Sequence, residues 1–190
     1  MSIDQGENFG KWDDKVSKFL YIDSAIEILS LFNIPQKVAD YGGGNGLLKK
    51  FIPNIITIDK DKSKNPDICE DILEHQGTYD MIISRYVLHY LNDYEVIELL
   101  KICSKTPSVI IQFANDNLCE KYFNSQNEIK YFRTSAQLDA LLNPFKFHQI
   151  YRFKYRVTKE FYKNRLGDGE YKDHFEDLCA WTNIPASAKS

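Results

Sequence analysis

The sequence predicts a doubly wound α/β domain, a mostly parallel sheet with helices on both faces. Three observations predict it. From Lys37 onward, short β-rich runs alternate with runs of helical period. Several β runs hold consecutive isoleucines (Ile55-Ile56, Ile82-Ile83, Ile110-Ile111), which suits strands buried on both faces of a helix-covered parallel sheet. A glycine turn, Gly42-Gly43-Gly44-Asn45-Gly46, follows the first such strand and opens a helix. The 190 residues suffice for one domain with a full core and are too few for two ordinary ones.

Taken in order, apolar residues recur at helical spacing from Trp12 to Phe32, and Pro35 stops that helix or helix pair. Val38 to Tyr41 is the first strand, and Leu47 to Phe51 a helix closed by Pro53. Ile55 to Asp59 is the second strand and Pro66 to Cys69 a short third. Tyr79 to Ser84 is the fourth, followed by a helix from Tyr94 to Cys103; Val109 to Phe113 is the fifth. A helix from Ser135 to Leu142 leads to β-like Phe145 to Val157, read as one long strand or as a hairpin broken near Tyr155. The helices between strands supply right-handed crossovers. The organisation is then a helical cap at 1–36, a core at 37–166 and a tail at 167–190.

Composition removes several classes of function. The longest apolar run is four residues, far short of the roughly 18 that span a bilayer, and residues 1–7 carry neither a basic nor an apolar signal region. Cys69, Cys103, Cys119 and Cys179 occur singly, and the four histidines show no metal-ligand spacing, so no disulfide framework or metal site is expected. Net charge is −3, which gives no global attraction to nucleic acid or an anionic membrane. The expectation is a soluble cytoplasmic protein, monomer or homodimer.

The glycines allow positive φ and a backbone close enough for a ligand to lie against. No Lys or Arg lies inside the turn, and no GK[ST] follows to hold phosphates. Instead Asp40, Asp59 and Asp71 rim it. A carboxylate rim around a backbone cradle suits a ligand with positive charge, a ribose and an amine. S-adenosylmethionine has all three, whereas NAD and ATP fit poorly.

Val38-Ala39-Asp40-Tyr41-Gly42-Gly43-Gly44-Asn45-Gly46 resembles the first motif of the class I S-adenosylmethionine-dependent methyltransferases, with Gly43 and Asn45 where Cys or Thr is more usual. Asp59 stands where that family has its ribose-binding acid, 19 residues after Asp40, and Asp71-Ile72 matches the pair that reads adenine. Tyr79 to Leu91 looks like the fourth-strand motif of small-molecule members, and Ser108 to Phe113 like the fifth strand. The resemblance spans Lys37 to Leu142. It implies a Rossmann-like methyltransferase sheet and S-adenosyl-L-methionine as cofactor. Cofactor contacts are then expected from Asp40, Tyr41, Gly42, Gly44, Asn45, Gly46, Asp59, Lys60, Asp71, Ile72, Ser84 and Arg85, with His89 the candidate catalytic base. Asp80 reads as structural as readily as functional.

The implied reaction is transfer of a methyl group to O or N of a small-molecule acceptor. Two other readings stay open: an RNA- or protein-directed methyltransferase, and a cofactor-binding protein of this fold without methyl transfer. No thiol lies in a Pro-Cys context, and Ser84-Arg85-Tyr86-Val87 replaces the Pro-Pro-aromatic signature of exocyclic base-amine methylation. Residues 9–28, with Phe9, Trp12, Phe19 and Tyr21, are expected to cap the cofactor and line the acceptor pocket. Lys146 to Arg165 carries seven basic residues and one acid. There Tyr151, Phe153, Tyr155 and Val157 alternate with Arg152, Lys154 and Arg156, so a strand buries one face and presents a basic ridge on the other. That ridge is read as protection of an outer strand, with Arg156, Tyr162 or Arg165 reaching an anionic or aromatic acceptor. Trp12, Tyr21, Arg156, Tyr162 and Arg165 are thus the candidate substrate contacts, and no nucleic-acid partner is expected.

Overall fold

A computed structural model of the protein describes residues 22–114, 131–157, 159–160 and 174–185. Trp12, Tyr21, Tyr162, Arg165 and most of the expected N-terminal cap lie outside the described residues. The sheet has six strands: β1 (Val38–Tyr41), β2 (Ile55–Ile58), β3 (Met81–Arg85), β4 (Ser108–Ala114), β5 (His148–Val157) and β6 (His174–Thr182). Their order is β2-β1-β3-β4-β6-β5. The first four run parallel, and β6 pairs antiparallel with both β4 and β5. Three helices are described: α1 (Ser24–Leu29), α2 (Asp93–Cys103) and α3 (Ser135–Leu142).

Side-chain alternation along the strands divides the interior into two cores. Ala39, Tyr41, Ile58, Ile82, Ile110, Cys179 and Trp181 face α2 and α3, meeting Val96, Leu99, Leu100, Leu138 and Leu142. Val38, Ile55, Met81, Ile83, Val109, Ile111, Leu178 and Ala180 face the other way, toward Ala25, Ile28 and Leu29 of α1. Burial on both faces is what the isoleucine pairs require. Reciprocal capping boxes start two helices: Asn92 with Glu95 at α2, and Thr134 with Gln137 at α3. At the base of the sheet the Asp80 carboxylate accepts from the Lys37 N–H at 3.3 Å, a structural role.

Several elements differ from the sequence reading. The largest correction concerns 167–190, expected as a tail: His174–Thr182 is β6, set between β4 and β5. Its first half, His-Phe-Glu-Asp, reads as solvated, and the strand becomes apolar only at Leu178. Its far half is fully buried, and the Trp181 indole N–H donates to Asp139 of α3 at 2.7 Å. Of the stretch 145–157, Phe145 closes a 3₁₀ turn and His148–Val157 forms one strand, not a hairpin, with an irregularity between Gln149 and Tyr151. The third strand shrinks to a single bridge between Ile58 and Ile68. The helix after the glycine turn is one 3₁₀ turn, Leu47–Lys50. Along β5 the aromatic face is only partly covered, with Tyr155 buried but Phe153 40% exposed, because β5 is an edge strand.

A chain ended at Gly167 would lose the strand that joins β4 to β5, and we expect it to show no cooperative thermal transition by circular dichroism. Trp181→Ala in the full chain should cost about 3–5 kcal/mol in urea denaturation.

Candidate functional site

In an open α/β sheet, ligands bind beyond the carboxyl ends of the parallel strands. Here that edge holds the glycine turn after β1, Asp59 after β2, and Arg85 at the end of β3. Gly42, Gly44 and Gly46 all have positive φ. The Gly42 N–H donates to the Ile58 carbonyl at 2.8 Å, and the Gly46 N–H to Gly43 at 3.0 Å, so the turn closes on itself and onto β2. At Gly44 a Cβ would meet nothing within 4 Å among the described residues, so none of them covers the turn's outer face there. At Gly43 the reverse holds. A Cβ there would overlap the Thr57 methyl and stand 2.7 Å from Asp40 Oδ2. Gly43 is therefore required by close approach.

Asp40 beneath it is fully buried. Arg85 Nη2 stands 3.5 Å from Oδ2, and neither carboxylate oxygen has a hydrogen-bond partner among the described residues. Burial raises the Asp40 carboxyl above the usual carboxylate range; Arg85 pulls it down without offsetting the desolvation, and the Asp59 charge adds to the rise. Asp59 ties the turn to β2: its Oδ2 accepts from the Gly44 N–H at 3.0 Å and its Oδ1 from the Asp61 N–H at 2.9 Å. Each oxygen keeps a second acceptor position.

The bridge at Ile68 draws the next acid alongside. Asp71 Oδ1 accepts from the Leu73 N–H at 3.0 Å, Lys60 Nζ reaches Oδ2 at 3.1 Å, and Ile72 is buried. Asp40, Asp59, Lys60, Asp71, Ile72, Arg85 and the turn, Asn45 included, thus share one edge. Two predicted contacts are turned away. Tyr41 points into the α2-side core, where burial pushes its hydroxyl pKa up and it has no hydrogen-bond partner among the described residues. Ser84 is buried on the same face, level with Tyr41. Arg156 is exposed on β5, four strands from β1, or roughly 19 Å at the usual strand spacing. It is not brought to this cradle.

His89 is buried, and its chemistry is set by a neighbour. The Leu88 N–H donates to Gln112 Oε1 at 3.2 Å, which turns the amide nitrogen toward His89 Nδ1 at 2.9 Å. Nδ1 is then an acceptor, and the neutral ring carries its proton on Nε2. Acting as a base at Nε2 would require the other tautomer and loss of the Gln112 arrangement.

Five contributors were not singled out from the sequence. Gly43 is one and Gln112 another. Asp67 accepts from the Thr57 N–H at 2.8 Å, from Thr57 Oγ1 at 2.9 Å and from Lys49 Nζ at 2.5 Å. Burial acts to raise its carboxyl, but the Lys49 and Thr57 hydrogen bonds outweigh this and hold it below the ordinary range. Arg133 donates to the Leu88 and Leu91 carbonyls at 2.6 and 2.8 Å and to Asp93 at 2.7 Å, fixing the segment after β3. Next to Arg85, Tyr86 adopts a left-handed φ of 57° and stacks on Phe113 at 4.3 Å, a conformation that costs an aromatic residue about 1–3 kcal/mol. Gly43, Tyr86 and Gln112 lie inside the stretches that resemble the family's motifs, but nothing in those patterns marks them out, and Asp67 and Arg133 lie in no motif.

No protein-family model matches the chain, and no curated protein sequence does. Solved structures do. Magnesium protoporphyrin IX methyltransferase from Synechocystis PCC 6803, with bound S-adenosylhomocysteine, aligns with a TM-score of 0.57 at 14% identity, over 94% of each chain. A SAM-dependent methyltransferase from Methanosarcina mazei aligns at 0.58 and 13% identity, over 83% of this chain and 97% of that one. The pyocyanin biosynthetic protein PhzM aligns at 0.51 and 14%, over 97% of this chain and 63% of its own. The fold is therefore a Rossmann-like sheet of the kind these two methyltransferase structures have. Among the described residues no helix is long and apolar enough to cross a membrane.

Gly43→Ala should destabilise the protein, since neither the buried Asp40 carboxylate nor the Thr57 side chain, held by Asp67, can readily retreat, and a lowered melting temperature would show it. Asp40→Asn should act oppositely at neutral pH. A carboxyl whose folded pKa is raised contributes most stability below its unfolded value, about 3.9, and loses it as pH rises toward the folded value. The variant should therefore melt higher than the parent near pH 7, with the gain vanishing near pH 3.

Proposed function

We propose that the protein is a SAM-dependent methyltransferase that methylates O or N of a small-molecule acceptor, an activity of the EC 2.1.1 type, in the cytoplasm. One observation carries this reading: Asp40 is buried with Arg85 at 3.5 Å and, among the described residues, no hydrogen bond to either oxygen, directly beneath a glycine turn whose outer face no described residue covers at Gly44. Burying a carboxylate so poorly satisfied is costly, and a cationic ligand would repay it.

In this reading the methionine moiety lies along Gly42 to Gly46 with its ammonium toward Asp40. Asp59 takes the ribose diol on the acceptor positions left by the Gly44 and Asp61 amides. Asp71 and Ile72 meet the adenine. When bound, S-adenosylmethionine supplies a methyl carbon activated by a sulfonium leaving group. The protein's part is chiefly alignment of the acceptor, which can contribute roughly 7–11 kcal/mol. A small acceptor fits better than RNA: Arg152 is committed to Asp177 at 2.6 Å, and Lys154 lies over the Phe175 ring at 6.0 Å, so the edge-strand cations serve their own sheet.

Calorimetry with S-adenosylmethionine tests the cofactor assignment. A hydrogen bond to a charged group is worth about 1.5–3 kcal/mol, so Asp59→Ala should weaken binding roughly 10- to 150-fold while NAD and ATP bind neither protein. Unchanged affinity in a folded Asp59→Ala variant would remove the ribose role. Gly44→Val should abolish binding by filling that face of the turn.

A further inference from the structure

Between the Ile68 bridge and β3, the loop at 70–79 is closed from within by three side chains. The His75 side chain is only 7% exposed. Its Nδ1 lies 2.6 Å from Glu70 Oε2 and its Nε2 lies 2.8 Å from the Tyr79 hydroxyl. A carboxylate only accepts, so in the neutral ring Nδ1 holds the proton and Nε2 accepts the Tyr79 hydrogen. The His75 and Tyr79 rings stack at 5.8 Å, and Tyr41 meets both edge-on at 6.0 and 6.3 Å. Gly77 makes room for this contact: a Cβ there would overlap His75 Nε2 and stand 2.6 Å from the Tyr79 oxygen. The His75 backbone N–H also donates to the Asp71 carbonyl at 3.0 Å.

This relay ends on a phenol enclosed in the core (Tyr79 is 8% exposed), so it is not built to attack a substrate. What it does is mechanical. Its carboxylate arm is the residue just before Asp71, the residue that carries its imidazole donates its backbone N–H to the Asp71 carbonyl, and its phenol is anchored at the entrance to β3. The loop's first turn, carrying Asp71 and Ile72, is thereby held from both sides. A side chain that reads an amine by hydrogen bonding discriminates only if it cannot drift to meet the wrong partner.

We propose that His75 is a positioning residue that fixes Asp71 and Ile72 so that the site selects a 6-amino purine over a 6-oxo purine. This rests on the adenine role given to Asp71 above. The probes are S-adenosylhomocysteine and its 6-oxo (hypoxanthine) counterpart, titrated calorimetrically into the full chain. The parent protein should prefer the 6-amino ligand by about tenfold or more, and Asp71→Ala should erase that preference. His75→Phe, which keeps a stacked ring but neither hydrogen bond, should also bring the ratio near one, and Tyr79→Phe, which removes one oxygen, should lower it several-fold. Glu70→Gln retains an acceptor and should keep the ratio, whereas Glu70→Ala should not. If Asp71→Ala erases the preference while His75→Phe and Tyr79→Phe both preserve it, the positioning role is overturned and the adenine reading stands. If the parent shows no preference, or Asp71→Ala preserves it, the adenine role fails and the proposal fails with it.

Discussion

A carboxylate that cannot reach water organises this protein. Asp40 sits at the end of the central parallel strand, and three neighbours are shaped by it. Gly43 must lack a side chain because the carboxylate occupies that space. Arg85 must come from the adjacent strand because it is the cation within reach, at 3.5 Å. Thr57, which closes the same volume from β2, is itself gripped by Asp67. The glycine turn thus rests on a buried charge, and the space that the described residues leave at Gly44 is the other side of its tightness at Gly43. Natural proteins commonly give up stability at such sites for binding.

Much of this was legible in the sequence because the parallel half follows local rules. Isoleucine pairs mark strands buried on two faces, and α3 begins and ends where Ser135 and Leu142 predicted. The acids at 40, 59 and 71 fall at strand ends, where topology gathers them on one edge. The antiparallel half was harder to read. The strand at 174–182 begins with His-Phe-Glu-Asp, a pattern that looks solvated until one knows that Asp177 pairs with Arg152 across the sheet. No local window contains both partners.

The site was legible as a set of positions, less so as a set of states. Tyr41 and Ser84 occupy motif positions, yet strand alternation turns them into the core. His89 stands where a base would be attractive, but the tautomer depends on Gln112, which in turn depends on the Leu88 amide. Such facts live in hydrogen-bond direction, and sequence spacing carries no information about it.

The placement of β6 also bears on how the chain is assembled during synthesis. The strand between β4 and β5 is made after both, so a ribosome that has finished β5 has produced two strands that cannot yet meet. Until residue 182 emerges, β4 presents an open, apolar edge, Ser108 to Ala114, of the kind that recruits other chains. At a synthesis rate of roughly 5–20 residues per second, that interval lasts on the order of seconds. Holding chaperones would matter most for this protein in that window, and a pause in translation after residue 157 would be more harmful than one before β4.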